Sequence, residues 1–500
     1  MLVQGQLESI ISSLWSEHTK IYPNSVHREA GCVVCLVKNA MEKFLVCVNQ
    51  IENGAMFDDF KGVESRIQGK LVKVCPLISE NAQKLRRWFP FTAPIPLGRK
   101  GMTIGLGDRL GVATPGHLRA LKRAERVRPV LAQQSMRELT LTERTFRQVL
   151  DAATWAVFQE DYTNGFGADG DHLKTEGEIS LALDAGYSMI TLDCSEHLAN
   201  YITDLPSGVV NAEYEKLPDP SKQYYERTYL NKNFGLGLNT ITFSCDELKR
   251  IVLTYVKAIT FISKVYKSCI SSRQIDFEIS IDETTVPTTP QAHYFVAREL
   301  IEAKVAFASL APRFCGEFQK GIDYKGDVEQ FAAEFSLHAQ IADEFGYRLS
   351  IHSGSDKFTI FSIVGTKTGG RVHVKTAGTS WLEAVRVIAQ NKPELYRAMH
   401  TYALTNFSEA LQYYHVTPNL ANLPPLSTVE DSKLAGLLDM DDCRQLMHIA
   451  YGLLLTNRNN QGEYLFRSEI FRSLEENEEV YAGVLAKHIE SHLQKLWPDH

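Results

Sequence analysis

Phe277-Glu278-Ile279-Ser280-Ile281-Asp282-Glu283 is the stretch whose reading decides the fold. Its apolar residues fall at odd positions and its polar ones at even positions up to Asp282, which is the period of a strand. The apolar side is expected against a layer of helices. Glu278, Ser280 and Asp282 are then expected to point into the lumen of a barrel. Three further stretches read the same way. Ile190-Thr191-Leu192-Asp193 directs Thr191 and Asp193 inward, Leu349-Ser350-Ile351-His352 directs Ser350 and His352, and Val372-His373-Val374-Lys375 directs His373 and Lys375.

Outward from these four, the chain alternates strand and amphipathic helix. Strands are expected at 101–106, 128–133, 155–160, 188–193, 275–281, 304–309, 347–352 and 371–376. Helices are expected at 115–124, 141–152, 176–185, 289–303, 327–345 and 379–391. Strands alternating with helices imply parallel pairing through right-handed crossovers. Eight of them fit a (β/α)8 TIM-like barrel, whose strand ends supply the chemistry at one face. The expected organisation is a small N-terminal α/β unit over 1–95, a catalytic barrel over 96–394 and a helical C-terminal cap over 395–500. An insertion over 195–273 carries Tyr224, Tyr225 and Tyr229 and a long helix at 246–270. A Rossmann fold is the competing reading, because Gly105-Leu106-Gly107-Asp108-Arg109-Leu110-Gly111 resembles a dinucleotide loop. Its spacing is G-x-G-x-x-x-G rather than G-x-G-x-x-G, so a tight turn above the first strand is the better reading.

The 500 residues carry a formal net charge of -7, without the basic surplus of a nucleic-acid binder. No apolar run is long enough to span a bilayer, and the first residues lack the pattern of a signal peptide. Nine cysteines fit reduced thiols in the cytoplasm. Cys32-Val33-Val34-Cys35 is formally a C-x-x-C. It lies in an apolar strand, where residues three apart face opposite ways, so it reads as core.

Several acids and imidazoles converging on one barrel mouth would repel without a counter-ion, which points to a divalent metal. Asp282 or Glu283, together with His172 and His352, are the ligand candidates. Zinc, manganese, nickel and iron all suit such a donor set. Asp169 and Asp171 are candidates for acid–base work, although the same loop also reads as a capping turn before Thr175. Asp108, Asp193, Arg313, Ser353, His373 and Lys375 are candidates for holding a substrate. Arg313 and Lys375 are the expected partners of a carboxylate. No G-x-S-x-G elbow is present, so Ser353 is not read as a nucleophile.

Phe166-Gly167-Ala168-Asp169-Gly170-Asp171-His172, Ile281-Asp282-Glu283-Thr284 and Ser309-Leu310-Ala311-Pro312-Arg313-Phe314 resemble the tagaturonate epimerase family. So do Leu349-Ser350-Ile351-His352-Ser353-Gly354-Ser355-Asp356-Lys357-Phe358 and His373-Val374-Lys375-Thr376-Ala377-Gly378-Thr379-Ser380. The likeness starts near residue 70 and weakens toward the C-terminus. It implies a metal-dependent epimerase acting at C4 of a ketose acid, tagaturonate or fructuronate, in hexuronate catabolism. It also implies relatives that accept neutral ketohexoses. The hydrogen on C4 is not acidic, so a retro-aldol route is expected, with Asp169 or Asp171 as base. The competing functions are a metal-dependent aldose–ketose isomerase and a non-catalytic sugar sensor. The oligomeric state is not legible.

Overall fold

Asp276–Ile281 pairs in parallel with Met189–Asp193 on one side and Ser309–Pro312 on the other. This pairing continues around a closed barrel in the computed structural model, which describes residues 4–15, 19–40, 42–51, 54–124 and 126–497. Its strands are β1 (Met102–Leu106), β2 (Val127–Ser135), β3 (Gly167–Leu173) and β4 (Met189–Asp193). They continue as β5 (Asp276–Ile281), β6 (Ser309–Pro312), β7 (Arg348–Ile351) and β8 (Val372–Thr376). Pairing of β8 with β1, His373 opposite Thr103, closes the ring. The register sets Thr191 beside Glu278 and Ser350 beside His373. Polar side chains of neighbouring strands therefore meet in the lumen, as the alternation predicted.

The helices Glu176–Ala185, Pro290–Glu302, Val328–Phe345 and Gly378–Asn391 lie close to their expected positions. Thr175 caps the first of them in a reciprocal pair with Glu178, an arrangement that contributes about 1 kcal/mol. The cap leaves Asp169 and Asp171 free of that duty.

Two expected strands are corrected. Residues 155–160 belong to the helix Phe146–Glu160, started by a Thr145–Gln148 capping box and ended by Asp161 in the left-handed region. This helix packs against the barrel and the N-terminal unit alike and is buried almost all round, so its apolar run mimics a strand. The third strand is instead Gly167–Leu173, which lacks an apolar run because its inner face is Asp169 and Asp171. The sixth strand starts at Ser309 rather than 304, because the chain turns at Lys304 with φ +60°.

Before the barrel, a six-stranded antiparallel sheet is built around Cys32–Asn39 and Glu42–Asn49. Cys32 packs into one of its hydrophobic faces and Cys35 into the other, so the two sulfurs diverge. After the barrel come helices including Pro393–Thr405, Asp441–Ile449, Tyr451–Thr456 and Glu478–Leu496. The last packs against Thr114–Leu121 and Phe358–Thr368. Its approach is close enough that a Cβ at Gly365 would strike the carbonyl of Leu496. Among the described residues no helix is long and apolar enough to cross a membrane.

Candidate active site

Lys375, near the end of β8, is the centre of the lumen. Its Nζ lies 2.8 Å from Asp169, 2.7 Å from Asp171 and 2.8 Å from Glu278, and it donates to Thr191 Oγ1. Thr191 in turn donates to Asp169. Burial works against the ammonium, but the three carboxylates hold its pKa well above the ordinary lysine value. They titrate unequally. Burial lifts Asp169 to about 6, with the neighbouring acids adding to it. Asp171 is buried too, yet Lys375, His172 and His352 hold it well below the usual carboxylate range. Asp171 therefore faces the pocket ionised, with Asp169 behind it.

His172, Asp282 and His352 form a second group at the mouth, with ligand-capable atoms all within 4.8 Å of one another. His172 has φ +51°, and the β3–β4 register shifts there, so a bulge turns its ring out of strict alternation and over His352. The two ring centroids are 4.6 Å apart. Of the two acids that sequence left open, Asp282 is the one that joins both imidazoles. Glu283 is exposed and shares only His172, in a separate group with Asp193.

The donor set fits a divalent cation. Asp169, Asp171 and Glu278 surround the Lys375 ammonium, while Asp193 and Asp282 face His172 and His352, with Lys174 3.8 Å from Asp193. Five acids against two ammonium groups leave a deficit of positive charge that buried acids do not tolerate unaided. Without a metal, the deficit falls on His352: burial opposes its charge, but Asp282 raises its pKa to about 10. Glu278 lies 2.8 Å from His352 Nε2, leaving Nδ1 buried, without a hydrogen bond, and 3.1 Å from Asp282. Asp193 stands 3.6 Å from His172 Nδ1. Each imidazole thus has a carboxylate behind it, the arrangement that orients metal-bound histidines.

The other candidates are distributed around this centre. His373 is bonded to Thr103 at 2.8 Å, and burial lowers its pKa to about 3, so it stays neutral. Ser353 accepts from Lys320 at 2.8 Å. The structure does not bring Asp108 into the group: its carboxylate accepts from the backbone of Leu110, Gly111, Ala113 and Thr114 and so shapes the loop after β1. The glycines of that loop serve packing, since a Cβ at Gly105 would strike Gln133 and one at Gly107 would crowd Ala377. Arg313 lines the outer part of the mouth with its guanidinium donating to the Thr284 carbonyl. Lys375 is enclosed by three acids and would not welcome a fourth. The pocket wall also holds Arg109, Arg137, Glu138, Lys320 and Tyr414, none of them anticipated from sequence. They lie in loops, in a short helix after β2 and in the C-terminal segment, where no periodicity marks them.

A family model described as tagaturonate epimerase matches residues 22–496. The chain belongs to the tagaturonate epimerase family. A tagaturonate/fructuronate epimerase of Thermotoga maritima is 40% identical over 480 residues, 95% of this chain and 97% of the relative. A fructuronate-tagaturonate epimerase of Cohnella laeviribosi, solved with one glycerol bound, is 50% identical. It covers 99% of each chain, with a TM-score of 0.94. The native crystal structure of that protein superposes equally well. The likeness extends over the N-terminal sheet and the C-terminal helices as well as the barrel, so the extensions belong to the family architecture.

Proposed function

We propose that this chain interconverts D-tagaturonate and D-fructuronate at C4, by cleaving and re-forming the C3–C4 bond. The observation that carries the reading is the ionised Asp171 facing the pocket beside His172 and His352, within a family of named epimerases. His172, Asp282 and His352 are the residues that would hold a divalent cation. Bound there, it would supply Lewis-acid stabilisation of negative charge on a neighbouring substrate oxygen.

The chain's own residues account for the proton. Asp171 is the base that takes it from the C4 hydroxyl. The C4–O electrons then form an aldehyde as the C3–C4 bond breaks, and that bonding pair passes into an enediolate over C2 and C3. The aldehyde turns about its C4–C5 bond and presents its other face. C3 adds back, and Asp171 returns the proton to the new C4 oxygen. Lys375 fixes Asp171 throughout and keeps its pKa low, while Asp169 and Glu278 fix Lys375. Fragments held in place rejoin faster than they escape. D-Tagatose and D-fructose share the reacting carbons and are the expected weaker substrates.

The test uses D-fructuronate carrying deuterium at C4, with metal-stripped and metal-restored enzyme, followed by NMR. The reading expects metal-dependent formation of tagaturonate, deuterium retained at C4, and no primary isotope effect. A primary isotope effect would mean that the C4–H bond breaks and would overturn the mechanism. Absence of tagaturonate in both samples would overturn the substrate.

A further inference from the structure

Acids crowd one end of the pocket, and cations occupy the other. Arg109, Arg137 and Lys320 stand there against a single acid, Glu138. Glu138 is taken by Arg109, whose Nε and Nη2 lie 3.1 and 3.0 Å from its Oε1. Arg109 is 2% exposed, and its Nη1 is buried without a hydrogen-bond partner. Among the described residues, neither Arg137 nor Lys320 has a carboxylate within ion-pair reach. Lys320 donates its one side-chain hydrogen bond to Ser353 Oγ, next in sequence to His352. Arg137, at the rim, donates to the Tyr413 carbonyl at 3.0 Å.

The two arginines are held by the C-terminal segment. The Arg137 guanidinium lies 4.6 Å from the ring centroid of Tyr414, and that of Arg109 lies 3.9 Å from Tyr451. The two phenol oxygens are 2.8 Å apart. Two arginine–tyrosine stacks are thus bolted together through a hydroxyl pair, and both rings come from beyond the barrel. Stacking of this kind fixes a guanidinium's plane and leaves its outer N–H groups free. Arg137 is exposed at the rim and Lys320 is half-buried, so both are unneutralised cations that an anion entering the pocket would meet.

We infer that Lys320 and Arg137, backed by Arg109 and the Tyr414–Tyr451 pair, form the subsite that takes the substrate's carboxylate. The inference rests on the epimerase reading and deepens it. It displaces Arg313 and Lys375, the carboxylate partners expected from sequence. It also gives the retro-aldol step its pivot: with C6 anchored at the cationic end, the aldehyde carbon turns without the fragment leaving.

The experiment compares wild type with Lys320→Met, Arg137→Met and Arg313→Met. For each, kcat and KM are measured for D-fructuronate, and apparent affinity is measured for D-fructose as substrate or competitive inhibitor. Loss of one charge-assisted hydrogen bond should weaken fructuronate relative to fructose by roughly 10- to 100-fold in the first two variants. The loss should appear mainly in KM, and Lys320→Arg should recover part of it. Fructuronate and fructose weakening together, or a loss of discrimination in Arg313→Met alone, would overturn the inference. Failure of wild type to form tagaturonate would overturn the epimerase reading instead; the relative affinities of the two sugars would still report on the subsite.

Discussion

Replacing Lys375 with methionine keeps the volume of the side chain and removes one charge. The charge lies within 2.8 Å of three acids, two of them, Asp169 and Glu278, wholly buried. Breaking a buried ion pair from one side costs about 3–5 kcal/mol, because the remaining charge is left without a partner. Three acids share this partner and repel one another once it is gone, so the upper end of that range is expected. The sign of the pH dependence follows from the same contacts. Without the ammonium, the folded-state pKa values of Asp169, Asp171 and Glu278 all rise. An acid whose folded pKa is raised favours the fold at low pH, and that contribution is lost as pH climbs through the raised value. The deficit of Lys375→Met relative to wild type should therefore be small near ~pH 5 and widen toward ~pH 8. Urea unfolding at several pH values measures it, with Thr191→Val as a control that removes a hydrogen bond to Asp169 but no charge. Activity should fall at every pH, since Asp171 loses the contact that fixes it in place. A deficit that stays flat across this range would refute the electrostatic account of the lumen.

Two further outcomes are expected. Asp356 is bonded to Arg444 at 2.6 Å and to His488 at 2.6 Å, tying the loop that carries His352 to the C-terminal helices. Asp356→Ala should cost about 3–5 kcal/mol in thermal or urea unfolding and depress turnover with it; wild-type stability would sink this assignment. His293 and His338 meet through their Nδ1 atoms at 2.9 Å, with Tyr347 on the far side of His293. Burial lowers His338 to about 4, so its stabilising share is present above the unfolded value near 6.5 and is lost as pH falls toward 4. That share is about 3 kcal/mol, and His338→Gln should flatten the stability curve over this interval. An unchanged acid slope would show that the histidine pair is not a site of acid uptake.

Strand alternation made much of this architecture readable. It placed Thr191, Asp193, Glu278, His352, His373 and Lys375 correctly on the inner side, because a two-residue period survives burial on both faces. It failed at Gly167–Leu173, where the lumen face is acidic and the outer face is alanine and glycine, so no apolar run announces a strand. It could not choose between Asp282 and Glu283, since both follow the last paired residue, and the chain's path beyond a strand end has no period. His172 reached the site through a bulge, which alternation does not forecast. Arg137, Lys320 and Tyr414 lie on unrelated segments, and only the closed fold makes them neighbours.

The grip of Arg444 and His488 on Asp356 also has a consequence in time. A ribosome delivers the N-terminal sheet first, then the barrel, and the helix Glu478–Leu496 after both. Until that helix emerges, Asp356 on the loop bearing His352 has Arg444 alone and lacks His488. A nascent chain can thus close its barrel while the loop bearing His352 is only half clamped. A chain lacking the helix Glu478–Leu496 would keep the barrel's strands and lose the His488 half of this clamp.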